Sequence, residues 1–245
     1  QALQPLTAWG QASKPLLRAV VAVSYAHRCC NRSQPLNRRS ALAAGAVRAY
    51  SLGYRRLLRG TDFAQRHAAV LREKRGAGWW LWKPLAIRWA FRKASEGDAV
   101  VYLDAGNRFW PNTSLLASVT RWLEHSDVAA VRLECCLERH WTRRGTFIKL
   151  GEARNSSLVD TEQIAATFVV LRRSTVAARF LDEWLALAED PALLTGRGLE
   201  PEDYPGFRLH MADQSIFSIL FKRYGFEAFS QADAAALVSY DRDRE

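Results

Sequence analysis

The segment "GDAVVYLDAGN" (97 to 107) does most to limit how this chain can fold. Five consecutive apolar residues, Ala99 to Leu103, are too few for a helix and show no polar alternation. They read as a strand buried on both faces, ending abruptly in Asp104 and, two residues on, Gly106. "LLRAVVAVSYA" (16 to 26) has the same valine-rich character. Strands buried on both faces need cover on both sides, and the segments between them supply helices. "NRRSALAAGAVRAYSL" predicts a short helix broken near Gly45, then a strand over Val47 to Leu52. A helix is expected after Thr61 or Asp62, either of which can cap it. Another starts at Pro84, a first-turn proline, and continues through "LAIRWAFRKAS". Beyond Asp104 follow a helix in "NTSLLASVTRWLEH", a strand in "VAAVRLE", and a strand over Ala165 to Leu171. A helix opened by Ser174, a loop over 190 to 210 and a final helix in "MADQSIFSILFKRYG" complete the series. Strands alternating with helices predict an α/β domain with a mostly parallel central sheet flanked by helices.

In such sheets ligands bind outside the carboxyl ends of the strands, which directs attention to Asp104. Its backbone is held by the sheet while its carboxylate projects into the crevice, a suitable place for an oxygen ligand to a hard divalent ion. The same residue can equally cap a turn with Gly106 and Asn107. Asp213, Gln214 and Ser215 fall near a helix start, where a phosphate or sugar hydroxyl can be met; the simpler role for Asp213 is to sit favourably against the helix dipole. Glu162 and Gln163 precede a buried strand and either face the cleft or end the strand.

About half of the 245 residues are apolar, enough for a substantial core, and the net charge is +10. The arginines are scattered, with short clusters such as Arg38-Arg39, Arg55-Arg56 and Arg143-Arg144, so the charge fits an anionic partner without naming it. No run approaches the roughly 18 apolar residues of a spanning helix, and the first residues lack the order of a signal peptide. No targeting or anchoring segment is therefore expected, and the glutamine at position 1 suggests a domain excised from a longer chain. Cys29-Cys30 and Cys135-Cys136 lack the two-residue spacer of zinc and redox motifs; a disulfide between the pairs and buried free thiols both remain open.

The tryptophan run in "GAGWWLWKPLAIRWAF" (76 to 91) is followed by Lys83, Arg88, Arg92 and Lys93, which argues against a membrane anchor. Trp89 and at least one of Trp79 and Trp80 are expected in the core. Trp82 and Lys83, shortly before Asp104, can border a pocket where an aromatic face meets a base and a cation meets a phosphate. The alternative is a non-catalytic glycan- or nucleic-acid-binding module that uses a basic, tryptophan-rich surface.

In order, "GWWLWKPLAI" (78 to 87), "GDAVVYLDAGN" (97 to 107), "EQIAATFVVLRRS" (162 to 174) and "HMADQSIFSIL" (210 to 220) resemble nucleotide-sugar glycosyltransferases of GT-A fold. The resemblance runs from about residue 18 to 226. It implies a single domain over 1–245, with a nucleotide-binding part over about 16–110 and an acceptor and sugar-binding part over about 111–230. It implies transfer of a sugar from a nucleotide-diphosphate donor to a glycan or glycoconjugate hydroxyl, assisted by manganese or magnesium. Asp104 matches the first aspartate of the DxD-type metal signature. Gly106 stands where the second would be, so the ion would need His210 or Asp213 as a further ligand. Trp82, Lys83, Arg88 and Asp104 would border the nucleotide, and Asp104, Gln163, Asp213 and Gln214 the sugar. Asp213 would contact the sugar or, if the anomeric centre inverts, act as base; retention would require no such base. Gln163 would face the transferred sugar. No nucleic-acid partner is implied.

Overall fold

The computed structural model describes residues 14–152 and 156–240; the amino-terminal residues read above for a leader lie largely outside this range. Six strands form the central sheet: β1 (Val20–Tyr25), β2 (Arg48–Leu52), β3 (Ala99–Leu103), β4 (Val128–Leu137), β5 (Glu162–Arg172) and β6 (Ala228–Phe229). Their order across the sheet is β2-β1-β3-β5-β4-β6. β1 pairs in parallel with β2 and with β3, and β4 in parallel with β6. β5 is antiparallel to both of its neighbours. Five strands thus share one direction, and the α/β architecture with a mostly parallel sheet is as the sequence leads one to expect.

The reversal of β5 has a topological cause. Between β4 and β5 the chain makes only short helical turns, Glu138–Trp141, Arg144–Lys149 and Ser156–Val159. Among the described residues no long helix carries it back across the sheet, so it re-enters from the end at which it left.

Alternation along the strands divides the core between two faces. Val21, Val23, Tyr25, Val100 and Tyr102 pack in one cluster, and Val20, Ala22, Ala99, Val101 and Leu103 in another. The five longer helices are α1 (Gln34–Ala43), α2 (Trp82–Phe91), α3 (Leu115–Trp122), α4 (Thr175–Ala188) and α5 (Asp213–Arg223). The Tyr25–Tyr102 face is covered by α2, α4 and α5, which contribute Ile87, Phe180, Trp184 and Phe217. The opposite face receives Ala41 of α1 and Leu115, Val119 and Trp122 of α3. Each fully buried side chain of this size contributes about 1.5–3 kcal/mol.

Local differences from expectation are few. The helix expected after Thr61 is capped as foreseen, Thr61 Oγ1 accepting from the Ala64 N–H at 3.1 Å, but it breaks at His67 into two short turns, Asp62–Arg66 and Ala68–Leu71. Ser174 caps α4, accepting from the Ala177 N–H at 3.2 Å. The 190 to 210 loop contains one short helix, Pro191–Thr195. Cys135 and Cys136 are bonded to each other, and neither Cys29 nor Cys30 is in a disulfide, so the disulfide links neighbours and not the two pairs. Trp79 is buried, but Trp89 is only half-buried, with the Arg56 guanidinium 4.9 Å from its ring centre. Among the described residues no helix is long and apolar enough to cross a membrane.

Candidate active site

Asp104 is the first residue beyond β3, and its backbone N–H donates to the Thr167 carbonyl of β5 at 3.0 Å. Two residues earlier on the same strand face, the Tyr102 hydroxyl donates to Asp104 Oδ1 at 2.6 Å. From the opposite side α5 begins at Asp213, and from α2 comes Lys83. The Lys83 ammonium lies 3.2 Å from Asp213 Oδ2 and 3.5 Å from Asp104 Oδ1. Three elements distant in sequence thus converge on one buried cation.

Burial and mutual charge set the ionisation of this cluster. For Lys83, burial pulls the pKa down, but Asp104 and Asp213 more than offset it and leave the pKa above the usual lysine value. For Asp213, burial pushes the pKa up; Lys83 opposes this and the like charge of Asp104 adds to it, giving about 6. Tyr102 is held well above its ordinary value by burial and then by the carboxylate it serves, so it stays a proton donor to Asp104. The cluster thus sets the Lys83 ammonium between Asp104 and Asp213, and Asp213 is poised to take up a proton near pH 6.

A cleft of about 340 Å³ opens on this cluster. One wall is aromatic. Trp82 stacks on Tyr25 with ring centres 4.0 Å apart, and its indole N–H donates to the Gly76 carbonyl at 2.9 Å. The Tyr25 hydroxyl is buried and makes no hydrogen bond. Beside them the chain takes a left-handed turn: φ is +54° at Gly76, +50° at Ala77, +100° at Gly78, +55° at Trp79 and +59° at Trp80. Each non-glycine residue in that region costs about 1–2 kcal/mol, so the turn persists through its packing. A Cβ on Gly76 would meet the Trp80 ring at 2.3 Å, so glycine lets that ring lie against the backbone. Trp80 lines the cleft with Gly76 and Ala77.

The rim is cationic. Arg28, Lys74 and Arg75 line it together with His27. Arg28 donates to the Arg72 and Glu73 carbonyls, and Arg75 to the His210 carbonyl. These acceptors are neutral, and among the described residues no carboxylate pairs with Arg28, Lys74 or Arg75. For His27, burial and then the Arg28 charge lower the pKa.

Of the residues singled out from sequence, Trp82, Lys83, Asp104, Asp213 and Gln214 line this cleft together. Gln163 lies one layer behind: its amide donates to Thr142 Oγ1 at 3.1 Å and its carbonyl accepts from the Gln214 amide at 2.7 Å. Its contact with the cleft lining runs through the Gln214 amide. Arg88 projects elsewhere and pairs with Asp182 at 2.5 Å. His210 is buried with Nε2 2.8 Å from the Leu193 carbonyl, while Nδ1 accepts from the Arg143 N–H at 3.4 Å. With both ring nitrogens engaged, it is not the second metal ligand expected. Sequence reasoning missed Tyr25, Tyr102 and the Arg28, Lys74 and Arg75 rim. Tyr102 had a signal, since alternation puts it on the same strand face as Asp104, and Gly76-Ala77-Gly78 marked the left-handed turn.

No family model matches the chain, and no curated protein matches it. Solved structures similar to it include a glycosyltransferase involved in glycosylation of the major capsid of PBCV-1, with 12% identity over 87% of this chain and 82% of that one, at a TM-score of 0.46. Mouse xyloside xylosyltransferase 1 gives 10% identity over 86% and 84%, at 0.41. Core-mannan synthase A of Aspergillus fumigatus, in a Mn/GDP form, gives 8% identity over 98% and 83%, at 0.43. At such scores the chemistry of this chain rests on its own residues.

Those residues do not build the divalent-ion site implied by a DxD signature. A hard cation needs several converging oxygen ligands. Here Asp104 stands without a second carboxylate at Gly106, Asp104 Oδ1 already accepts from Tyr102, and Lys83 lies between Asp104 and Asp213. Among the described residues no group of three or more His, Cys, Asp or Glu side chains converges.

Proposed function

We infer that the protein is a glycosyltransferase that moves a sugar from a nucleoside-diphosphate donor to a hydroxyl of a glycan or glycoconjugate. The observation that carries this reading is the pairing of Asp104, at the carboxyl end of β3, with Asp213 across Lys83 in a cleft that has an aromatic wall and a cationic rim. The aromatic wall suits a base, and the cations suit a diphosphate. Asp213 suits an acceptor hydroxyl: with a pKa of about 6 it is largely ionised at neutral pH, yet basic enough to accept a proton. The donor C1–O bond breaks with its electron pair going to the diphosphate oxygen. The acceptor oxygen bonds to C1, and its proton passes to Asp213. On this assignment the configuration at C1 inverts. Gln214 borders the sugar and Gln163 holds it there.

The stretch 16–110 then supplies the nucleotide side of the cleft, while Asp213 and Gln214, from 111–230, supply the sugar side. The nucleic-acid alternative is weakened because Trp79 and Trp82 are buried, and Trp80, the partly exposed ring of the three, lies inside the cleft and not on an open face. Donor hydrolysis and transfer, measured across a panel of UDP-, GDP- and ADP-sugars, test the assignment. Turnover of one donor class that is lost in Asp104→Ala, with the fold retained, supports it. No turnover and no nucleotide-dependent thermal shift would end it.

A further inference from the structure

The cleft gathers four fixed cations, Arg28, Lys74, Arg75 and Lys83, against two carboxylates, Asp104 and Asp213. Its lining therefore carries a net positive charge of the size that a sugar-linked nucleoside diphosphate brings with the opposite sign. A divalent ion able to use both carboxylates would need the space between them, which the Lys83 ammonium fills at 3.2 and 3.5 Å. That ammonium is buried at the end of a helix-borne side chain and is packed 5.5 Å from the centre of the Tyr102 ring. An ammonium has three N–H donors. Two face Asp104 and Asp213, leaving the third for a phosphate oxygen.

We propose that Lys83 is the resident cation of this site, so that a nucleoside diphosphate is bound and its departure assisted without a divalent metal ion. The inference rests on the glycosyltransferase reading and departs from the metal dependence implied by a DxD-like signature. As the C1–O bond breaks and its electron pair moves onto the diphosphate, Lys83 donates a hydrogen bond to the oxygen that gains charge. Arg28, Lys74 and Arg75 meet the remaining phosphate charge from the rim. Asp104, oriented by Tyr102, holds the ammonium in place where a metal ligand would otherwise be expected. The positive charge is then covalently tethered, and metal loading is not required.

Calorimetric titration of UDP, GDP and ADP into the wild-type protein, once in EDTA and once in millimolar MnCl2, tests this without relying on turnover. At least one nucleotide is expected to bind in EDTA with a Kd within about threefold of its value in manganese, a difference under 1 kcal/mol. Lys83→Met should weaken that binding on the order of 30-fold or more, as truncating a buried charge partner does. Thermal melting confirms that the variant is folded, and the wild-type comparison decides the matter if it is not. Binding that appears only with manganese and disappears in EDTA overturns the proposal while leaving the glycosyltransferase reading standing. Absence of binding by all three nucleotides under both conditions overturns both.

Discussion

Lys83 reaches from α2 to within 3.2 Å of Asp213 at the start of α5, joining two helices that approach the sheet from different parts of the chain. Burial, and then the charge of Asp104, push the Asp213 pKa up, and the ammonium holds it below where they would take it. This tuning sets the pH range over which Asp213 takes up a proton.

If Asp213 removes the acceptor proton, kcat/KM should rise with pH through an inflection near 6 and then level off, because only the ionised carboxylate accepts a proton. Asp213→Asn should lose about 10²–10⁴-fold in rate and abolish that acidic limb. Initial rates over pH 5 to 8 in both proteins check this, and an unchanged limb in the variant would assign it to another group.

Asp104→Asn keeps the shape and removes the charge that opposes Lys83. Losing this electrostatic organisation should cost about 10²–10³-fold in rate. The thermal midpoint should change far less than in a core truncation, since the Asp104 side chain is partly exposed. Parallel rate and melting measurements separate the two effects. A rate within tenfold of wild type would remove Asp104 from the chemistry.

The strand ending in Asp104 and the helix opening at Asp213 were legible because five apolar residues cut off by an acid, and a polar triplet before an apolar period, are local patterns. The reversal of β5 was not, because direction depends on where the Trp141-to-Val159 excursion leaves the chain. His210 illustrates a different limit: its proximity in sequence to Asp213 suggested a ligand, yet the Leu193 carbonyl and the Arg143 N–H, both distant in sequence, claim its ring. Tyr102 lay in plain view on the right strand face, but its role needed the 2.6 Å contact with Asp104 to be seen.

His210 should affect stability in acid. Burial first, then the nearby arginines, hold its pKa at about 4, below the unfolded value near 6.5. The native state therefore binds fewer protons than the unfolded chain in this interval. Its contribution to stability is complete above pH 6.5 and is lost as pH falls towards 4. Asp213, whose folded pKa is raised, acts in the opposite sense, stabilising the fold as pH falls from about 6 towards 4. The difference between wild type and His210→Gln isolates the histidine, so the wild type should lose more melting temperature than the variant between pH 7 and 5. Parallel curves for the two would show that this ring does not titrate with folding.

Behind the cleft, Glu138 is fully buried and accepts from Thr142 Oγ1 at 2.8 Å, from Lys222 Nζ at 2.7 Å and from Ser218. Ser218 and Lys222 belong to α5, the helix that presents Asp213. Glu138→Leu would leave the Lys222 ammonium largely buried without its carboxylate, at a cost of about 3–5 kcal/mol. The double variant Glu138→Leu/Lys222→Met should recover much of that loss, because replacing a buried pair is far less costly than breaking it. Urea unfolding of wild type, both single variants and the double variant completes the cycle. Additive losses would show that the two side chains do not depend on each other.

Gly76 and Gly60 both adopt left-handed backbone, with φ of +54° and +74°, but their surroundings differ. A Cβ at Gly76 would lie 2.3 Å from the Trp80 ring, whereas at Gly60 it would meet nothing within 4 Å. Alanine at either site bears the backbone penalty of about 1–2 kcal/mol. Only at Gly76 must the tryptophan also move, adding about 1–3 kcal/mol of overpacking. The Gly76→Ala loss should therefore exceed that of Gly60→Ala by the packing part alone. Since Trp80 and Gly76 both line the cleft, Gly76→Ala should weaken nucleotide binding as well, while Gly60→Ala leaves it unchanged. Chemical denaturation and nucleotide titration of the two variants read both effects. Equal losses of stability would mean that the ring moves aside freely and that the left-handed turn does not depend on its seat against Gly76.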